Sequence, residues 1–387
     1  MYALNRTDKK ALSILAFAVT FNALLLHWTS IYVGSMPWLI LTFGLSLLYL
    51  PLILIKRWGI AAYPLLFVIA EEIRNRFPFG GFGWGRVAYS QSDAPYSKIA
   101  IYGGAIALSA TTALVALVIF LLGQKRFQPL VLLPLSLLLI PSSISETSQT
   151  NVLMVQGNVP QYGLDFNSRA TQVFFNHVRE TDKALAVNEN IDFILWPENA
   201  VDVDPFNNTT VSTELNKYDV PLLIGAIVDN NGATLNTSIL WRNSGHELYA
   251  KQHLTPFGEY IPLRSLASKI SPLVDQVDDF SAGNQSKVFK IGKAMVAPVI
   301  CYELIDDSIL ENAAKSSNIL AVQTNSATFG RSAESAQQLS ISRVRAIEHS
   351  RNILSVSTTG YSAIINYKGD IVLKTSLGTA EHIHASV

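Results

Sequence analysis

Over roughly the first 140 residues, long apolar runs pass without charge or polar alternation; beyond about residue 150 short apolar runs are separated by amphipathic stretches. Residues 11–33 (ALSILAFAVTFNALLLHWTSIYV) carry no Asp, Glu, Lys or Arg, and neither do residues 37–55 (PWLILTFGLSLLYLPLILI). A membrane-crossing helix needs about 20 apolar residues, so both qualify. Ile99–Gly123 is a third run of suitable length. Trp58–Ala70 and Phe127–Ile140 are shorter and contain Pro64, Pro129 and Pro134. They are read as spans as well, with re-entrant or interfacial segments as the alternative. The pattern predicts an all-α transmembrane bundle of about five helices.

The second pattern is different. Apolar runs at Val152–Gln156, Phe193–Trp196, Pro221–Val228, Thr234–Trp241, Lys293–Ile300, Ile319–Gln323, Ile353–Ser357 and Ser362–Tyr367 read as strands. Helical spacing lies at about 167–187, 304–316 and 333–350. Strands and helices interleaved in this way indicate a layered α/β domain. The polar linker Ser142–Thr150 divides the chain into a membrane domain, 1–145, and a second domain, 146–387. No internal repeat or low-complexity tract is visible.

Charge sharpens this division. The formal net charge is zero, yet residues 1–148 hold 11 Lys and Arg against 5 Asp and Glu, which leaves 18 against 24 for the remainder. No basic domain is available to neutralise phosphates, so nucleic acid is not an expected partner. Arg6, Lys9 and Lys10 precede the first span, Lys56 and Arg57 join the second and third, and Lys125 and Arg126 join the fourth and fifth. Under the positive-inside rule these segments face the cytoplasm, although Arg74, Arg76, Arg86 and Lys98 in the remaining loop weaken the asymmetry. Five spans then put everything after residue 145 outside, in the periplasm or its equivalent. The first span lacks a small-residue cleavage site and reads as an anchor rather than a removable signal. The Gly- and aromatic-rich loop Phe77–Ser92 suits the headgroup level, where it could shape a lipid entrance, or it is an ordinary aromatic belt.

Candidate chemistry sits at strand ends. In IDFILWPEN, Pro197 stops a strand and leaves Glu198 on the following loop, beside Trp196. Partial desolvation there would raise its pKa, as a general base near neutral pH requires; otherwise it is an exposed acid. Lys251 heads KQHLTPFGEYIP, a Pro- and Gly-shaped loop with a second acid, Glu259. An ammonium held near carboxylates stays protonated and can stabilise an oxyanion. Cys301, the sole cysteine, follows the strand KAMVAPVI and precedes Tyr302, Glu303 and a helix. It is either a small buried hydrophobe or a nucleophile exposed on a strand-to-helix elbow; no intrachain disulfide is possible. There is no HExxH or CxxC, and the histidines lack ligand spacing, so neither metal nor cofactor is expected.

Glu198 in WPEN, Lys251 in KQHLTPFGEYIP and Cys301 in VICYE, in that order, resemble the Glu–Lys–Cys triad of the nitrilase superfamily. MVQGNVPQ at 154–161, RVRAIEHSRNILSVSTTG at 343–360, HWTSIYVG at 27–34 and FGWGRVAYSQSDAP at 82–95 make the chain similar to its membrane branch, the apolipoprotein N-acyltransferases. The resemblance implies a nitrilase-type αββα sandwich following the membrane bundle, in a bacterial inner membrane with the catalytic domain on the periplasmic side. It implies transfer of a fatty acyl chain from a phospholipid to the N-terminal amine of diacylglyceryl-cysteine on an apolipoprotein. Glu198 would be the base, Cys301 the nucleophile that carries a thioester, and Lys251 the oxyanion holder. Glu259, Tyr302 and Glu303 match motif residues that support the site, with Glu259 orienting Lys251 and Glu303 shaping the elbow.

Three departures accompany the resemblance. The family usually has two further N-terminal helices and a further C-terminal span, and its NDAWFG motif is NSATFG at Asn325–Gly330, with Thr328 in place of an aromatic residue. Two other readings stay open: a membrane-tethered amidase or nitrilase that passes its acyl group to water, and a silent protein that binds lipid or lipoprotein.

Overall fold

The computed structural model describes residues 9–126, 149–159, 162, 171–269, 274 and 279–387. The chain divides into two units, Met1–Ile144 and Ser145–Val387.

In the first unit, helices α1 (Lys10–Leu25), α2 (Ser35–Leu47), α3 (Tyr63–Arg76) and α4 (Ala100–Gly123) carry the apolar runs. Among the described residues two helical runs, Ser35–Trp58 and Ser97–Gly123, are long and apolar enough to cross a membrane. The run expected over residues 11–33 is divided. After α1 the chain tightens into a 3-10 turn at His27–Thr29, where the Thr29 and Ser30 hydroxyls donate to the carbonyls of Leu26 and His27. The segment expected at Trp58–Ala70 is broken at Gly59 (φ 79°), and α3 starts only at Tyr63 with Pro64 in its first turn, where a missing N–H costs nothing. Phe127–Ile140, the fifth expected span, lies outside the described residues. Among the described residues this unit is a helical region with two apolar helices of crossing length.

Its polarity is inverted relative to a water-soluble bundle. Leu12, Phe17, Leu24, Met36, Phe43, Trp58, Leu65 and Ile119 are exposed, whereas Asn22 donates to Ser46 across α1 and α2 at 3.1 Å inside. Buried Glu71 accepts the N–H of Val87 (2.7 Å), and Arg86 pairs with Glu72 (2.8 Å). These bonds fix the aromatic loop, whose Trp84 is buried against Trp28 at 5.3 Å while Phe77 and Phe79 stay exposed.

The second unit contains two six-stranded sheets in the orders β12-β1-β2-β3-β4-β5 and β11-β10-β9-β8-β7-β6. The strands are β1 (Asn151–Gln156), β2 (Phe193–Leu195), β3 (Leu222–Asn230), β4 (Ala233–Arg242), β5 (Gly245–Ala250), β6 (Phe289–Ile291), β7 (Ala294–Ile300), β8 (Ile319–Thr324), β9 (Asn352–Ser357), β10 (Ala363–Ile365), β11 (Ile371–Lys374) and β12 (Glu381–Ser386). In each sheet three parallel strands, β1–β2–β3 or β7–β8–β9, are extended by antiparallel strands on both sides. The topology repeats although the sequence shows no repeat.

Side-chain alternation assigns the layers. Val152 and Met154 of β1 join Phe193, Leu195, Val296, Ala321 and Leu354 in the core between the sheets. Leu153 and Val155 instead pack with Phe174 and Val178 of helix α5 (Gln172–Leu185) and with Val211 of helix α6 (Thr209–Asn216). Helices α7 (Asp307–Lys315) and α8 (Glu334–His349) contact β7, β8 and β9 of the other sheet. The result is an αββα sandwich. Burial on both faces makes the central parallel strands continuous apolar runs, which is why they were legible. Strands β6, β11 and β12 and helix α6 escaped because they are short or polar; β11 is exposed throughout.

Arg345 of α8 ties this helix to the turn that precedes α7. Fully buried, it donates Nε to the Leu304 carbonyl (3.0 Å) and pairs with Asp307 (2.8 Å) and Glu348 (2.6 Å). Arg345→Met leaves those acceptors without their partner. It is expected to cost about 3 kcal/mol, read as a Tm lowered by several degrees in detergent; an unchanged Tm would contradict the role of this tie.

Candidate active site

The parallel strands deliver two of the candidate residues at their carboxyl ends, where open α/β sheets commonly hold ligands. After β2, Pro197 ends the strand and Glu198 follows, with its carbonyl accepting the Thr358 hydroxyl at 3.1 Å. Gly225 of β3 allows this close approach: a Cβ there would lie 2.4 Å from the Pro197 carbonyl oxygen and 2.6 Å from the Glu198 Cα. Cys301 follows β7 at φ 48°, a left-handed conformation that non-glycine residues seldom adopt and that marks a strained, functional turn. Lys251 follows β5, and its backbone is pinned on both sides, by donation to the Asn236 carbonyl (2.8 Å) and acceptance from Gly283 N–H (2.8 Å).

These three elements converge. Lys251 Nζ lies 2.7 Å from Glu259 and 3.6 Å from Glu198, and the lysine is 1% exposed. Asn236 Nδ2 of β4 bridges the two carboxylates, at 2.8 Å to Glu198 and 2.6 Å to Glu259. Thr255 donates its N–H to Glu259 (2.7 Å) and accepts from Lys251 (3.2 Å), so the TPFGE loop closes on the ammonium. Cys301 and Glu198 are close enough to influence each other's charge, and Gln338 of α8 donates to Sγ at 3.6 Å.

The elbow has its own brace. Glu303 is fully buried and accepts from Ile300 N–H (2.7 Å), Gln252 N–H (2.6 Å) and the Tyr249 hydroxyl (2.7 Å). One carboxylate thus joins the strained turn to the strand and loop that carry Lys251. Tyr302 is buried and stacks edge-on against His253 at 5.2 Å, and His253 pairs with Asp306 at 2.8 Å.

Electrostatics follow from this geometry. Burial pushes the Glu198 carboxyl above its usual range against the opposing pull of Lys251, and Glu259 adds to the rise. Burial works against the Lys251 charge, but Glu259 and Glu198 outweigh it and hold its pKa above that of an ordinary lysine. Burial would likewise raise Glu259, yet Lys251 keeps it below the ordinary glutamate value. The Cys301 thiol is pushed well up by burial and by Glu198. The resting arrangement is a buried ion pair, a carboxylate of raised basicity and a protonated thiol beside it. Such a set can move a proton from sulfur to carboxylate while a fixed cation meets developing negative charge.

The six residues named from the sequence lie within this constellation, but Trp196 does not desolvate Glu198. Its ring faces the outer helix layer, 5.9 Å from Phe174, with Nε1 donating to Thr181 (3.0 Å), because strand side chains alternate between faces. Asn236, Thr255, Glu334 and Gln338 were missed. A buried polar run, Asn236–Thr237–Ser238, inside an apolar strand was the one available signal. Among the described residues no group of three His, Cys, Asp or Glu is placed to hold a metal ion. Thr328 lies on the 3-10 turn Ala327–Phe329, between β8 and α8.

Residues 1–118 match the family model "Apolipoprotein N-acyltransferase N-terminal domain" and residues 178–387 match "Carbon-nitrogen hydrolase". The chain is 33% identical to the apolipoprotein N-acyltransferase of Mycolicibacterium smegmatis, over 93% of this chain and 69% of that protein. It is 28% identical to the protein of the same name from Aquifex aeolicus, over 84% and 75% of the two chains. The Neisseria meningitidis protein of that name is 30% identical over 82% of this chain and 66% of its own length.

The raised Glu198 carboxyl gives a pH prediction. A base whose pKa lies above its usual value loses its ionised form as pH falls through that raised value. Alkylation of Cys301 by iodoacetamide should therefore decline through an inflection above the ordinary glutamate value of about 4.3. Glu198→Gln should remove the inflection and slow the reaction; an unaltered profile would show that Glu198 does not govern the thiol.

Proposed function

The chain belongs to the apolipoprotein N-acyltransferase family, with a catalytic unit of the carbon-nitrogen hydrolase superfamily, and from this we propose that it moves a fatty acyl chain from a membrane phospholipid to the N-terminal amine of a diacylglyceryl apolipoprotein. The observation that carries the reading is the meeting of Glu198, Lys251 and Cys301 at strand ends, in the family's order.

Each residue has a distinct task. Glu198 takes the thiol proton as Cys301 Sγ attacks the ester carbonyl of the phospholipid. The Lys251 ammonium and a backbone N–H of the elbow hold the oxyanion, and Glu259 and Asn236 keep the ammonium charged and aimed. The lysophospholipid leaves with the proton from Glu198, and a thioester remains on Cys301. The acceptor amine attacks that thioester, its proton passes to Glu198, the C–S bond breaks and the thiol is restored. Glu303 and Tyr302 keep the elbow in place. Because the thioester would be lost to water, the bound acyl chain itself is assigned to its protection.

We further infer that the chain crosses a bacterial inner membrane five times with domains at 1–145 and 146–387 and its catalytic unit outside the cytoplasm. The Lys and Arg segments at residues 6–10, 56–57 and 125–126 support this orientation. A reporter active only in the cytoplasm, fused after Val387, is expected to give no signal; a strong signal would overturn the orientation.

Acyl transfer is tested by intact-protein mass after incubation with phospholipid in detergent. Wild type should gain one acyl chain and Cys301→Ala none. Lys251→Met should form the adduct about 100- to 1,000-fold more slowly, the loss of one strong oxyanion donor. A diacylated lipopeptide with a free amine should discharge the adduct, and acetylation of that amine should prevent it. Rapid release of free fatty acid with or without lipopeptide would instead make the chain a tethered hydrolase.

A further inference from the structure

Helix α8 opens beside the nucleophile with a carboxyl that the triad does not use. Glu334, in its first turn, is 1% exposed, and its Oε2 is buried with no partner. One turn later Gln338 reaches the Cys301 sulfur, so this face of α8 is turned onto the reacting atom. The titratable groups that face Glu334 are Glu198, on the loop after β2, and Cys301, at the elbow. Two more acceptor oxygens near these strand ends, Asn199 Oδ1 beside Glu198 and Gln323 Oε1 at the end of β8, are likewise buried and unpartnered. Buried acceptors seldom go without a donor. A ligand N–H reaching Glu334 Oε2 would satisfy it, and a primary ammonium brings three such donors.

The acyl-transfer cycle contains a proton that the triad leaves without a destination. An α-amine arrives largely as R–NH3+, and one proton must leave before the nitrogen has a lone pair to attack with. A second proton leaves during attack and goes to Glu198. We propose that Glu334 receives the ammonium group of the acceptor and takes the first of these protons; the inference rests on the acyl transfer proposed above. R–NH3+ and the Glu334 carboxylate give R–NH2 and the carboxylic acid. The nitrogen then forms the C–N bond at the thioester carbonyl and passes its second proton to Glu198. The C–S bond breaks, the Cys301 thiolate recovers that proton from Glu198, and Glu334 returns its own to solvent. Burial, together with the charge of Glu198, pushes the Glu334 carboxyl up to about 8. An α-amino group titrates at about 7.7–8.0, so the transfer is close to balanced; near neutral pH only about a tenth of the free Glu334 is ionised, and the arriving ammonium draws it into the carboxylate form that accepts the proton.

The test separates the two half-reactions of the full-length protein. Thioester formation with phospholipid is followed by mass. The acylated protein is then mixed with a diacylated lipopeptide bearing a free amine, and its discharge is timed across pH. E334Q is expected to discharge about tenfold or more slowly than wild type near neutral pH, with the deficit closing to within about threefold above about pH 9, where the amine is already neutral. Thioester formation should slow by a much smaller factor. E334D, which keeps a carboxyl, covers a glutamine variant that fails to fold; it should retain the wild-type pH profile at a reduced rate. A deficit that is the same at every pH, or equal in both half-reactions, would overturn the role of Glu334 while leaving acyl transfer intact. A wild-type protein that forms no thioester would overturn acyl transfer itself and this inference with it.

Discussion

A lysine ammonium with almost no access to water survives in this fold because two carboxylates share it. Removing an ion from water costs several kcal/mol even after relaxation, and Lys251 recovers that through Glu259 at 2.7 Å and Glu198 at 3.6 Å. The arrangement is asymmetric. Glu259 stays ionised as the close partner, whereas Glu198, farther away and equally buried, keeps a proton affinity above that of a free carboxylate. Two similar side chains thus acquire different roles from position alone, as happens where neighbouring acids are driven apart in pKa. Asn236, with one amide nitrogen bonded to both, fixes the spacing on which that difference depends.

The second constraint is mechanical. Cys301 occupies a left-handed backbone conformation, and such strain persists only where surrounding bonds over-determine it. Glu303 provides them by accepting from the residue before the cysteine and from the Lys251 loop at once. The Cys301 turn and the Lys251 loop are therefore held by one buried carboxylate, and movement of either would be transmitted to the other. Arg345, through the Leu304 carbonyl and Asp307, extends the brace into α8, the helix that also carries Gln338 and Glu334.

In the other unit the same physics operates with the solvent reversed. Apolar side chains face outward, and Asn22, Ser46, Glu71 and Arg74 lie inside. The Glu71 and Glu72 carboxylates hold the loop from Gly83 to Ser90 by its backbone and by Arg86. A Gly-rich aromatic stretch that reads from composition as pliant is thereby given defined turns.

The sequence by itself determined the division of the chain into an apolar and an α/β part, the central parallel strands and the places of Glu198, Lys251 and Cys301. Each is a local property: uninterrupted hydrophobicity, strands buried on both faces, and proline or glycine punctuation that leaves a reactive side chain at a strand end. It did not reveal β6, β11 and β12, whose short or polar segments become strands only because a neighbouring edge offers hydrogen bonds. It misassigned the desolvation of Glu198 to Trp196, whose ring faces the outer helix layer while the chain turns at Pro197 before Glu198. The length of each membrane helix also escaped it, since a 3-10 turn at His27 or a break at Gly59 leaves hydropathy unaltered. Only the tertiary structure decided that Asn236, Thr255 and Gln338 lie at the site: pKa, charge state and strain at a buried centre are set by groups distant in the chain, brought within hydrogen-bonding range by the packing of two sheets.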